Sequence, residues 1–147
     1  MRVMVIVKAN KESEAGVLPK KEPLAEMGKF NEELVKAGIM LAAEGLQASS
    51  KGKRVRFTEG KRTVIDGPFS ESKELIAGFW LWQVRSMEEA VEWLKRAPFG
   101  NGEEVEIRQV FELEDFGDEL TPEHKARYIE FHEQEARLRE QVASKKK

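Results

Sequence analysis

Residues Ile76 to Val84 carry large apolar groups on both sides of a single strand. Ile76, Gly78, Trp80, Trp82 and Val84 alternate with Ala77, Phe79 and Leu81, so neither side reads as a solvated face. One layer of helices can cover only one side of a sheet. A chain of 147 residues is the size of one ordinary domain and lacks the material for a second full layer. The uncovered side is therefore expected to meet the same sheet in a second copy, with the tryptophans at or near that junction. This predicts a homodimer.

The remaining segments supply partners for that strand. Val3 to Val7 forms a first strand, apolar on both sides. Residues Ala9 to Glu22 make a polar connection punctuated by Gly16 and Pro19, longer than a compact fold needs and a candidate lid. From Pro23 onward, Leu24, Met27, Phe30, Leu34 and Ala37 recur every three or four residues, which predicts an amphipathic helix that ends at Gly38. Ile39 to Ala42 is a short strand. Lys53 to Phe57 and Arg62 to Ile65 flank Thr58-Glu59-Gly60-Lys61, a hairpin connection of the four-residue type.

After the central strand, Ser86 followed three residues later by Glu89 is a capping box, opening a helix with Ala90, Leu94 and Ala97 inward. A last strand, Glu104 to Phe111, places Val105, Ile107 and Phe111 inward. The order is β-α-β, a hairpin, then β-α-β. It predicts an α+β fold of the ferredoxin-like β-α-β-β-α-β plan, one antiparallel sheet with both helices on one face. Residues 1–112 are the expected α+β domain and 113–147 a linker and charged C-terminal helix. That helix, from Thr121-Pro122 to about Val142, is expected to dock on its own domain or on the partner subunit.

Charge and composition narrow the functional classes. With 25 Lys+Arg against 27 Asp+Glu, the net charge of −2 gives no overall electrostatic case for nucleic acid or an acidic membrane surface. No cysteine is present, which removes thiolate metal sites and thiol nucleophiles and fits a reducing compartment, so the cytoplasm is the expected location. No apolar run approaches the length of a membrane helix. His124 and His132 lie too far apart along a helix to chelate one ion, so no metal site is expected. No P-loop, zinc motif or nucleophile elbow calls for a cofactor.

The motifs Gly45-Leu46-Gln47, Arg54-Val55, Asp66-Gly67-Pro68-Phe69, Lys73-Glu74 and Gly78-Phe79 resemble those of the DGPF-domain proteins of the YCII-related family, over about Met1 to Phe111. The resemblance implies a dimeric α+β barrel, in which two ferredoxin-like sheets meet face to face. Some such proteins occur beside extracytoplasmic-function sigma factors, and the wider barrel group includes lactone isomerases, monooxygenases and a dehydrochlorinase. Some YCII relatives have a proposed His and Asp dyad. Here the first helix reads Met27-Gly28-Lys29-Phe30-Asn31, with no histidine where the dyad would place it.

Asp66 is the expected catalytic residue, since partial burial beside a cleft would suit its carboxyl to acid–base work. The alternative is structural: its side chain accepts turn N–H groups, while Gly67 supplies permissive dihedrals and Pro68 fixes the next one. Gly67, Pro68, Phe69, Lys73 and Trp80 are the expected binding residues, with Phe69 and Trp80 as apolar walls. The favoured function is binding, with possible conversion, of a small organic compound. The alternative is a non-catalytic interaction module, docking through its C-terminal helix or basic hairpin on a protein such as a sigma factor.

Overall fold

The structure, a computed structural model, describes residues 1–70 and 74–146. Glu71, Ser72, Lys73 and Lys147 lie outside the described residues, and with them the expectation placed on Lys73. The elements in order are β1 (Arg2–Lys8), α1 (Lys11–Glu14), α2 (Lys21–Lys36), β2 (Met40–Gly45), β3 (Lys53–Thr58), β4 (Lys61–Asp66), β5 (Ile76–Gln83), α3 (Met87–Lys95), β6 (Val105–Gln109) and α4 (Pro122–Lys145). Two compact units result, Met1–Val110 and Phe111–Lys147.

In the first unit, four strands form an antiparallel sheet in the order β2-β5-β1-β6. Counting only these strands, the order is that of a ferredoxin-like α+β fold, with the first and third strands central. Val5 sits opposite both Trp80 and Ile107, so three strands place apolar residues on one face at the same level. Gly78 has a specific reason: a Cβ there would lie 2.8 Å from the Glu44 carbonyl oxygen, and only a bare backbone lets β2 approach so closely.

Helix α2 covers that face. Its phase puts Phe30 and Leu34 into the core with Val3, Val5, Trp80, Trp82, Val84 and Ala90 of α3. Phe30 meets Trp80 edge-on at 6.0 Å between ring centres and Trp82 at 6.3 Å. Trp82 is fully buried, yet its Nε1–H has no hydrogen-bond partner among the described residues. The tryptophans therefore pack under the chain's own helices, and their expected place at a junction with another sheet is corrected. Their bulk fills the gap between helix and sheet, which smaller side chains would leave open. Met4, Ile6, Phe79 and Leu81 alternate onto the opposite face.

Local signals act at several boundaries. Gly38 follows α2 with φ of 71°, and Ser86 Oγ accepts the Glu89 N–H at 3.1 Å to cap α3. The hairpin is tighter than the four-residue connection expected: Thr58 pairs with Lys61, leaving Glu59 and Gly60 as a two-residue loop with φ of 21° and 76°. Positive φ at both positions matches the twist of the flanking strands. Within the Ala9–Glu22 connection, Asn10 and Ser13 form a reciprocal capping box that closes α1.

The second unit begins past the end of β6. Phe111, expected inward, is corrected: it is 66% exposed and stacks on Phe116 at 5.2 Å between ring centres. Strand pairing stops at Gln109, so the inward and outward alternation does not extend to it. Helix α4 is capped by Thr121, whose Oγ1 accepts the His124 N–H at 3.2 Å. Its surface is laced by pairs four residues apart, such as Arg127 with Glu123 at 2.9 Å, and His132 lies 3.1 Å from Glu135.

Leu34 and Leu24 belong to one sequence stripe but differ in burial, at 0% and 55% exposed. Leu34→Ala is expected to cost about 2–5 kcal/mol in urea unfolding, and Leu24→Ala less than about 0.5 kcal/mol. Similar losses at the two positions would contradict an α2 that turns Leu34 into the core and Leu24 towards solvent.

Candidate functional site

The candidate site is built where β4 ends. The hairpin register sets Asp66 opposite Lys53, and their side chains form an ion pair. The next residue is held close to another loop, the helical turn Ser49–Lys51. The Gly67 N–H donates to the Gly52 carbonyl at 3.0 Å. A Cβ on Gly67 would lie 1.7 Å from the Ser49 carbonyl oxygen, which excludes any side chain. Gly67 is not among the residues with left-handed φ, so closeness of two backbones explains the glycine here. The Gly67-Pro68 peptide is cis.

Beyond the turn, Ser49 joins three segments. Its Oγ accepts the Phe69 N–H at 3.0 Å, and its own N–H donates to Glu14 Oε1 at 3.1 Å. The Ser49 hydroxyl in turn donates to the other Glu14 oxygen, Oε2. One carboxylate from α1 thus receives both donors of one serine. Over the Phe69 ring lies the Arg54 guanidinium, 3.8 Å from the ring centre.

These groups border an open cavity of about 460 Å³, whose lining includes Glu14, Gln47, Ser49, Lys51, Arg54 and Phe69. Its walls offer an aromatic surface, cationic heads and a hydroxyl. A separate cavity of about 260 Å³ lies between α2 and the sheet, and Trp80, Met27, Phe99 and Asn31 line it. There the Trp80 Nε1–H donates to Asn31 Oδ1 at 2.9 Å.

The expected residues divide accordingly. Phe69 lines the first cavity and Trp80 the second, so the two do not wall one pocket together. Lys53 lines the first cavity, and the partial burial expected of its partner Asp66 is corrected: the carboxylate reaches across the hairpin to the exposed Lys53 and its side chain is 75% exposed. Gly67 forms the turn without lining the cavity, and Pro68 is exposed.

Glu14, Ser49 and the stacking role of Arg54 have no clear sequence signal, because three distant segments must meet before any of them has a partner. Asn31 does have one. It falls on the apolar stripe between Met27 and Leu34, where a polar side chain must find a partner inside.

Gly67→Ala tests the close approach. It is expected to destabilise the fold by about 1–3 kcal/mol or more in denaturant titration, and to shift the Ser49 and Phe69 amide resonances. Wild-type stability and unmoved resonances would rule the contact out.

The family model for the YCII-related domain matches residues 1–114. An uncharacterised protein of Rhizobium meliloti (strain 1021) is 28% identical over 72 residues, a match that takes in 49% of this chain and 58% of that protein's length. No helix among the described residues is long and apolar enough to cross a membrane. A family match over most of the chain joins the antiparallel sheet order and the Asp66-to-Phe69 turn, and the chain belongs to the YCII-related family.

Proposed function

We propose that the protein is a homodimer that binds a small organic compound in the cavity beside the Asp66-to-Phe69 turn. The carrying observation is the cavity of about 460 Å³ in which Phe69, with Arg54 stacked on it, stands beside Ser49 and Lys51. An apolar surface with a few convergent polar groups is the usual make-up of a ligand site. Asp66 acts in this reading as the orienting group, since its carboxylate holds Lys53 at the rim.

Dimer formation is supported by the half-buried Met4, Phe79 and Leu81, which share with the buried Ile6 the sheet face opposite α2 and α3. A second copy of the same sheet offers an apolar surface of matching kind, and closed two-fold pairing satisfies both copies at once. Phe79→Glu is expected to give monomers by light scattering at micromolar concentration. A variant that keeps the oligomeric state of the wild type would remove this face from the interface.

The ligand reading is tested by thermal unfolding against a metabolite library. A compound that binds only the folded state adds about 2.7 kcal/mol at one hundred times its dissociation constant. The stabilisation is expected to disappear in Phe69→Ala. Retention of the full effect in that variant would place the ligand elsewhere.

One observation favours a second reading, a docking module. Val55, Phe57 and Val64 stand exposed together on one face of the β3–β4 hairpin, beside Arg62, whose guanidinium lies 4.6 Å from the Phe57 ring centre. Exposed apolar groups rimmed by charge suit a protein partner. A library with no stabilising compound moves the weight to this surface.

A further inference from the structure

We propose that the cavity beside Phe69 is a site for a small carboxylate, and that the chain's own Glu14, at the cavity wall, takes up its two Ser49 donors until the ligand arrives. This rests on the small-molecule reading above and gives that ligand a chemical class.

The first observation is the pair of donors on Ser49. Its N–H and its hydroxyl both point to the two oxygens of one carboxylate, one donor to each oxygen. That arrangement recognises a carboxylate by shape as well as charge. Lys51 and Arg54 line the same cavity, as does Lys53 with its charge paired to Asp66, so the field around the two donors favours an anion. Arg54 also lies over the Phe69 ring, which holds its guanidinium at the cavity wall.

The second observation is how lightly the present occupant is tethered. Glu14 is the last residue of a four-residue helix that buries none of its residues. The chain beyond it presents Val17 and Leu18 to solvent, at 59% and 83% exposed. Helix α1 is closed by its own Asn10 and Ser13 box, so it can leave the cavity without losing its internal bonds. A segment with few buried apolar contacts opens at small cost. The Glu14 carboxylate therefore behaves as an internal competitor. An incoming carboxylate takes over the two Ser49 donors, and Glu14 moves into water, where it is well solvated.

An occupant of this kind weakens apparent affinity by the fraction of molecules in which the site is free. If Glu14 fills the site in about nine molecules of ten, its removal strengthens binding about tenfold. The test uses benzoate as probe and benzamide as its uncharged counterpart, with the full chain. Binding is followed by the amide resonances of Ser49 and Phe69 in wild type, Glu14→Ala and Glu12→Ala. Glu12 lies on the same short helix, so its variant removes the same charge without removing the competitor.

Benzoate is expected to bind Glu14→Ala about tenfold more tightly than wild type, with Glu12→Ala within about twofold of wild type and benzamide indifferent to all three. Equal gains in the two variants would reduce the effect to general charge and overturn the competitor. Binding of benzamide as tight as that of benzoate would overturn the carboxylate class while leaving the cavity a ligand site. If neither compound moves the Ser49 or Phe69 amides in any of the three proteins, the carboxylate inference is overturned, while the cavity's standing as a ligand site is decided separately by the library and Phe69→Ala.

Discussion

The contact of Trp80 and Trp82 with Phe30 and Leu34 decides which side of the sheet is inside. Two indoles on alternate residues of β5 place their area on one face, and α2 supplies a ring and a branched side chain at matching height. Aromatic burial on this scale outweighs the weak preferences of the individual strands, so the rest of the sheet follows its register. Once that face is committed, Met4, Ile6, Phe79 and Leu81 must point the other way, because the pleat alternates. The apolar second face is a consequence of the first.

The same core leaves one end of the first unit to a different kind of interaction. Beside the β3–β4 hairpin, order comes from backbone proximity and hydrogen bonds rather than from apolar bulk. Gly67 lets the turn lie against the Ser49 carbonyl, and Ser49 then serves Phe69 and Glu14 together. Polar ties of this kind exchange more readily than a packed core. It also explains the composition of this turn: Gly67 is required by the approach, and Asp66 and Phe69 on either side of it are aimed by the turn it permits.

Much of the fold was legible because periodicity reports directly on burial. The strand at Ile76 to Val84, the helix stripe ending at Gly38 and the Ser86 cap each follow from rules that act within one element. Where the expectations failed, a neighbour outside the element decided the result. Trp80 and Trp82 went to the helices because Phe30 and Leu34 were there to receive them, and Phe111 lost its inward place because strand pairing ended at Gln109. The site was less legible. Asp66, Gly67 and Phe69 are contiguous and stand out, whereas Glu14, Ser49 and Arg54 come from separate stretches without a motif.

By itself, the sequence determined the antiparallel α+β plan, the two helices over one face and the glycine turn, since all of these rest on alternation, capping and backbone freedom within short stretches. Only the tertiary structure decided which face holds the tryptophans, that Phe69 and Trp80 line different cavities, and that a carboxylate from Glu14 meets both donors of Ser49. The physical reason is distance along the chain. Glu14 and Ser49 are 35 residues apart, and the pairing of polar groups so separated is set by how the intervening elements pack, which no local pattern encodes.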